Sequence, residues 1–423
     1  MGFEHFLIIA GVFFAFSLIS RRIEGSPLTG PMLFVAAGAG LAWLTGEHGP
    51  LSMQFDERAI HTIAELTLVL ILAADASRIS LSSLLKFRSI PIRLLTIGLP
   101  LTIAAGALVG VVIMPDLLWV EAALIAAILA PTDAALGASV LKEQSIPIRV
   151  RQSLNVESGL NDGIALPAVL FFACFLNISH QTGETDWLAF LALQLTLGPL
   201  VGIAAGWVGG HLIGAAAKRG WITETYQGVA AMALAVIAFA SAEAVGGNGF
   251  IAAFLCGLTY GNLRIDYSHF LYEFTETESE VLSQVTFFLF GLVLLPEAIS
   301  NLTPEMGLYA LASLTIVRML PVALSMLGLG LHLPTLGFLG WFGPRGLASL
   351  LFALLVIEDL SVRSADTVQA VVSLTVLLSI LLHGVTAGAF SRAYGRWAAN
   401  RTTQACAENA PPDAVGAMAG GKT

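Results

Sequence analysis

The sequence predicts an all-α polytopic membrane protein with about 13 transmembrane helices in two inverted six-helix repeats. Three observations predict it. Of the 423 residues, 56% are hydrophobic and only 12% are charged, against about 25% charged in a soluble domain. Apolar runs long enough to cross a ~30 Å hydrocarbon core as helices recur up to about residue 394. When those runs are threaded in order, the basic residues collect on one side of the membrane.

The first run, about 5–20, has no basic residue before it and is followed by Arg21 and Arg22. That order predicts an uncleaved span with its N-terminus outside rather than a signal peptide. Further runs fall at about 28–45, 60–77, 91–114, 119–141, 152–177, 187–217, 224–243, 247–262, 281–297, 305–331, 334–357 and 366–391. The sequence "GGNG" at 246–249 separates two short spans. Threading places sixteen of the 20 Lys and Arg residues inside, with only Arg58 and Arg363 outside and with Arg318 and Arg345 within spans. The expectation is a multi-pass protein of the cell (inner) membrane with a cytoplasmic C-terminus.

An odd span number with these termini permits two six-span halves of opposite orientation, joined by the span at 187–217. Such halves break their helices at matching places. Span 5 contains "ILAPTDAALG" (128–137), and span 12, seven further on, contains "LGWFGPRGLASL" (339–350). Pro131 and Pro344 each withdraw a backbone donor, from the carbonyls of Ala127 and Gly340. Irregular backbone at membrane depth is tolerated where it is buried in protein or lines a wet cavity. Residues 396–423 are small, polar and Pro/Gly-containing, and are expected to form a disordered cytoplasmic tail.

Nothing in the chain points to an enzyme, a cofactor or nucleic acid. Cys174, Cys256 and Cys406 are far apart, and no two histidines stand at metal-ligand spacing. His383, alone in span 13, reads as a packed or interfacial residue. The sequence "VESGL" is not a nucleophile elbow, and Ser158 has no evident histidine partner at its depth.

Ionisable residues within spans are costly and functional by default. Here they are Glu65, Asp75, Asp133, Glu157, Asp162, Arg318 and Arg345. At 1.5 Å per residue, Asp162 lies about 16 Å in from Arg151, and Asp133 about 13 Å from Lys142. Arg345 lies about 16 Å from Pro334 and Arg318 about 20 Å from Glu305. All four reach mid-membrane. Asp75 stands near the inner interface beside Arg78, and Glu65 sits shallower on the outer side.

Glu157 and Asn161 are i,i+4 neighbours, as are Ser158 and Asp162, so the four make one polar stripe. Gly159 and Gly163 beside it let another backbone approach. Carboxylate, hydroxyl and freed carbonyl oxygens beside a broken helix suit a small hard cation. Simpler readings stand next to this one. Glu157 forms a structural ion pair with Arg345 or binds the ion. Asp133 caps the second half of its helix, ligates, or does both. Arg318 neutralises carboxylates and helix ends or meets substrate, and Glu65 is an outer-funnel residue or half of a solvated pair. Asp162, with no basic partner on its own helix, reads as functional.

The sequences "PTD" (131–133), "ESGLND" (157–162) and "GPRG" (343–346) together resemble the NhaP-like, electroneutral branch of the monovalent cation/proton antiporters, with a matching span arrangement over about residues 5–395. The resemblance implies a transporter domain (1–395) with a dimerisation part (about 5–77 and 224–297), a mobile core (about 91–177 and 305–391) and a linker helix (187–217). Two discontinuous helices, spans 5 and 12, would cross near the ion. Asp162 would bind cation and proton alternately, with Ser158, Asp133 and the backbone near Thr132 helping to ligate Na⁺, or else Li⁺ or K⁺. Glu157 would pair with Arg345, Asn161 would hold the site together, and Arg318 matches the basic residue the family carries in span 11. The pair Asn161–Asp162 implies one-for-one exchange, and a homodimer follows from the family. The family's glutamate in span 3 is replaced here by Ala73 and Ala74, with Asp75 nearby as a possible entrance residue.

On this reading one carboxylate holds either a cation or a proton, and alternating access couples the two. The rival functions are an uncoupled cation channel using the same carboxylates and an intramembrane hydrolase built on Ser158.

Overall fold

The computed structural model describes residues 3–23, 26–45, 57–79, 81, 89–133, 136–137, 140–141, 143–178, 187–263, 269–360 and 365–400. Among them every regular element is a helix. In chain order these are α1 (Phe3–Ile23), α2 (Gly30–Thr45), α3 (Glu57–Ser77), α4 (Ser89–Ile113), α5 (Trp119–Ile128), α6 (Ile148–Ile178), α7 (Trp187–Lys218), α8 (Glu224–Ala244) and α9 (Gly249–Gly261). Then come α10 (His269–Leu289, continuing through a π turn into Leu295–Ser300), α11 (Pro304–Ser325), α12 (Leu333–Trp341), α13 (Leu347–Leu360) and α14 (Ala365–Ala399). By length and composition, α4, α6, α7, α8, α10, α11 and α14 can each cross a membrane, while α2, α5, α9 and α13 are shorter apolar helices.

The "GGNG" stretch forms a tight helix–helix turn. Gly246 takes a left-handed φ of 79° after α8, and the N–H of Gly247 returns to the carbonyl of Ala242 at 2.8 Å. Asn248 then caps α9 by accepting the N–H of Ile251 at 2.9 Å. Two helices carry π turns, Leu94–Gly98 in α4 and Phe290–Leu294 in α10. Each ends where the residue before a proline (Leu99, Leu295) donates five residues back, to Leu94 and Phe290 respectively. The ring of Pro100 or Pro296 crowds the preceding turn, and the wider turn relieves it.

Both proline-bearing spans are interrupted. α5 stops at Ile128, and the chain is non-helical from Leu129 to Asp133. α12 stops at Trp341, five residues are non-helical, and α13 starts at Leu347. A third irregularity lies in α11, six residues before Pro321. Thr315 leaves helical geometry (φ −114°, ψ −92°), and its hydroxyl bonds back to the carbonyl of Leu311 at 2.6 Å, a local bond that bends helices.

The helices fall into two packing groups. α1, α2, α3 and α7–α10 contact mainly one another, as do α4–α6 and α11–α14. The groups meet where α3 touches α6 and α13, and where α10 touches α14. Close crossings inside the first group rest on small residues. A methyl on Gly38 would strike the carbonyl of Phe288, and one on Gly257 the carbonyl of Ala73. α14 continues to Ala399, four residues beyond the expected start of the tail, and the remaining tail residues, 401–423, lie outside the described residues.

Candidate functional site

The two interruptions cross, and their backbone groups satisfy one another. Asp133 N–H donates to the carbonyl of Pro344 at 2.8 Å. The Asp133 carboxylate accepts two backbone N–H groups, one from each interrupted span. Its Oδ1 accepts the N–H of Leu136 at 3.3 Å in its own span, and its Oδ2 accepts the N–H of Leu347, the first residue of α13, at 2.8 Å. A helix N-terminus presents unpaired donors and partial positive charge, so the carboxylate stabilises the start of α13.

Gly346 is what lets this carboxylate approach, because a methyl there would overlap Asp133 Oδ2. Gly346→Ala is therefore expected to force the crossing apart and to destabilise the protein by about 1–3 kcal/mol, the usual cost of overpacking. Thermal unfolding followed by fluorescence in detergent measures it, and an unchanged midpoint would show that the crossing yields easily.

Arg345 is fully buried at the second break. The expected Glu157–Arg345 ion pair is not what the structure contains. Glu157 Oε1 pairs instead with Arg318 at 2.6 Å, both side chains being almost wholly buried. Arg345 turns to carbonyls that the first break sets free, donating from Nη1 to Ala130 at 2.6 Å and to Pro131 at 3.1 Å. One nitrogen of the guanidinium thus supplies donors to two carbonyls of the non-helical segment. Arg318 lies three residues beyond the irregular Thr315 and packs its guanidinium against Gly343, where a methyl would collide with it. In this geometry the charge of Arg318 is paired with that of Glu157.

The polar stripe of α6 faces the first break. Asn161 donates to Thr132 Oγ1 at 2.6 Å, and Thr132 Oγ1 lies 3.1 Å from Ser158 Oγ. With its oxygen engaged by Asn161, Thr132 is placed to donate to Ser158. Asp162 follows Ser158 by one turn and is half-buried. Its Oδ1 is buried and has no hydrogen-bond partner among the described residues. Thr132, Ser158, Asn161, Asp133 and Asp162 are thus brought together.

Asp75 joins them from α3. It accepts from Ser279 Oγ at 3.3 Å, lies 3.8 Å from Arg78, and is within electrostatic range of both Asp133 and Asp162. Glu65, about 15 Å earlier along α3, is part-exposed and is not brought into this cluster. Among the described residues no three His, Cys, Asp or Glu side chains gather at metal-ligand distances. The oxygens on offer are Asp162 Oδ1 and Asn161 Oδ1, both buried and without a hydrogen-bond partner among the described residues, two hydroxyls and nearby carbonyls, a set of hard donors that suits a monovalent cation.

Several contributors were missed in the sequence. Ser349 donates to the carbonyl of Ile128 at 2.7 Å, and Ser379 accepts the N–H of Arg345 at 2.7 Å. Ser379 and His383 stand at i,i+4 in an otherwise apolar span, the spacing that singled out the stripe in α6. Outside the spans, Glu143 is held below the usual carboxylate range by the N–H and hydroxyl of Ser145, on the loop entering α6.

A family model described as sodium/hydrogen exchanger, transmembrane, matches residues 6–393. The chain is 26% identical over 383 residues to the K⁺/H⁺ antiporter NhaP2 of Shewanella sp. (strain ANA-3), covering 90% of this chain and 64% of that protein. It is 25% identical to the K⁺/H⁺ antiporter NhaP of Alkalimonas amylolytica, covering 82% of this chain and 60% of that one. It thus spans under two thirds of the length of these curated relatives. The fold is similar to that of the sodium proton antiporter MjNhaP1 from Methanocaldococcus jannaschii at pH 8, with a TM-score of 0.73, 20% identity, and coverage of 93% of this chain and 99% of that one.

Proposed function

Because this chain belongs to the transmembrane sodium/hydrogen exchanger family, we propose that it is a secondary antiporter exchanging a monovalent alkali cation for a proton at Asp162. One observation carries the reading: a buried carboxylate oxygen of Asp162 without a hydrogen-bond partner among the described residues, on a mid-span turn of α6, beside the crossing of two interrupted helices. The similarity to proteins named as K⁺/H⁺ and sodium/proton antiporters supports the substrate class.

The cation sheds water onto Asp162 and Ser158, with Thr132 and the carbonyls of the first break completing its shell. Asn161 fixes Thr132, and Arg345 aims the carbonyls of Ala130 and Pro131. Asp133 adds negative charge from its cap position, and Asp75 adds more on the side of Arg78, which the distribution of basic residues makes cytoplasmic. Glu157 and Arg318 neutralise each other and hold α6 against α11. A bound cation and a bound proton exclude one another on one carboxylate, so each displaces the other. If the site reorients only when loaded, exchange is coupled one-for-one. The packing groups supply the parts: α4–α6 and α11–α14 as the moving core, and α1–α3 with α8–α10 as the frame through which two copies pair in the cell membrane.

The test is transport in everted vesicles preloaded with a pH gradient. Adding Na⁺, K⁺ or Li⁺ should collapse the gradient in proportion to cation, insensitive to a clamped membrane potential. Cation flux that moves no protons would instead identify a channel and overturn the proposal.

A further inference from the structure

Outside the ion site, the polar group with the most specific surroundings is His383, which is buried in α14. Its Nε2 lies 2.9 Å from the carbonyl of Trp341, the last residue of α12. Carbonyls only accept, so the ring donates to the Trp341 carbonyl when its proton is on Nε2, the tautomer in which Nδ1 is left to accept from the Ser379 hydroxyl. Nδ1 lies 3.2 Å from Ser379 Oγ and 2.9 Å from the Ser379 carbonyl, and so is paired in either protonation state of the ring. Ser379 Oγ in turn accepts the N–H of Arg345 at 2.7 Å.

These contacts sit on the second break. At its start Phe342 adopts φ −82°, ψ 61°, the conformation of an inverse γ-turn, and Gly343 N–H donates to the Trp341 carbonyl at 2.8 Å. His383 fills that carbonyl's second lone pair, and Ser379 takes the donor of Arg345 further along. One face of α14 therefore holds the interruption at two points. Beyond it, Arg345 grips the carbonyls of Ala130 and Pro131, next to Thr132. A hydrogen-bonded path thus runs from His383 through Ser379 and Arg345 to the oxygens around Asp162.

We propose that His383, with Ser379, is a positioning residue that sets the second helix break and, through Arg345, the spacing of the cation-binding oxygens. It touches no substrate and acts on cation affinity at a distance. The part that concerns affinity rests on Asp162 being the exchange site; the part that concerns the break does not.

Two measurements on the full-length protein separate them. Hydrogen exchange in peptides covering 342–350 reads the break directly. His383→Ala should speed it roughly tenfold, the factor corresponding to about 1.4 kcal/mol, as should Ser379→Ala. Vesicle transport should show His383→Ala raising the apparent KM for cation roughly tenfold while the maximal rate stays within about twofold. His383→Gln places a donor near the position of Nε2 and should restore both readouts. His383→Asn reaches only the position of Nδ1 and should not, and this pair decides the matter if the alanine variant does not fold. Equal behaviour of Gln and Asn, or exchange at 342–350 unchanged in His383→Ala, would overturn the proposal. Faster exchange at the break with unaltered KM would overturn its link to the ion. Should the wild-type protein move no protons on cation addition, the antiport reading fails, and the exchange comparison still decides the role of His383.

Discussion

Asp162→Asn is expected to reduce cation-driven proton movement in everted vesicles to the level of vesicles lacking the protein. The substitution keeps the volume of the side chain and removes two things at once. An amide cannot take up and release the proton, and its charge no longer attracts the cation. Losing a charged contact costs about 3 kcal/mol, which corresponds to a fall in affinity of roughly 100-fold even before the missing proton is considered. Asp162→Glu keeps charge and proton but lengthens the side chain toward Thr132 and Ser158, and is expected to retain measurable exchange at raised KM. Ser158→Ala removes one neutral ligand worth about 1 kcal/mol and should shift KM several-fold with little change in maximal rate. Wild-type exchange in the asparagine variant would remove Asp162 from the mechanism.

Arg318→Ala is expected to have the largest effect on stability. It leaves the Glu157 carboxylate, whose side chain is 3% exposed, without its partner. Stranding a buried charge typically costs about 3–5 kcal/mol, a large share of the roughly 5–15 kcal/mol that holds a domain folded. The variant should accumulate poorly and unfold at clearly lower temperature. The double variant Glu157→Gln/Arg318→Met removes both charges and should recover most of the loss. Arg345→Ala strands no carboxylate and should cost less. A double-mutant cycle decides between partners: Glu157 should couple strongly to position 318 and weakly to position 345. The reverse outcome would reinstate the pairing suggested by the sequence.

That pairing shows where sequence reasoning reaches its limit. Depth along each span places Arg318 and Arg345 at the same mid-membrane level as Asp162, and depth is legible because helical rise is constant. Which arginine turns toward α6 depends on local backbone geometry that depth does not carry: Arg318 follows the irregular Thr315 in α11, and Arg345 lies on a non-helical segment. The two proline breaks were legible because proline removes a donor wherever it stands. The use of the freed carbonyls by Arg345, and of one Asp133 carboxylate by two interrupted spans, depends on a crossing between residues more than 200 positions apart. Asp75 looked peripheral because Arg78 follows it by one turn. Only the packing of α3 against α6 brings it within reach of Asp162. The stripe on α6 was visible as polar residues at four-residue spacing, and the same spacing at Ser379 and His383 passed unnoticed because a lone histidine in an apolar run is so often inert.

The sharing of Asp133 has a mechanical consequence. Its two oxygens tie the second half of one interrupted span to the first turn of the other, while its own N–H is fastened to Pro344. Neither span can swing, unwind or slide without breaking at least one of these links. Opening to alternate sides of the membrane by flexing a single half-helix would therefore be costly. On the antiport reading proposed above, the cheaper route would carry both spans together as one block, with the gliding surface at the seam with α3 and α10 and the cation inside the part that travels.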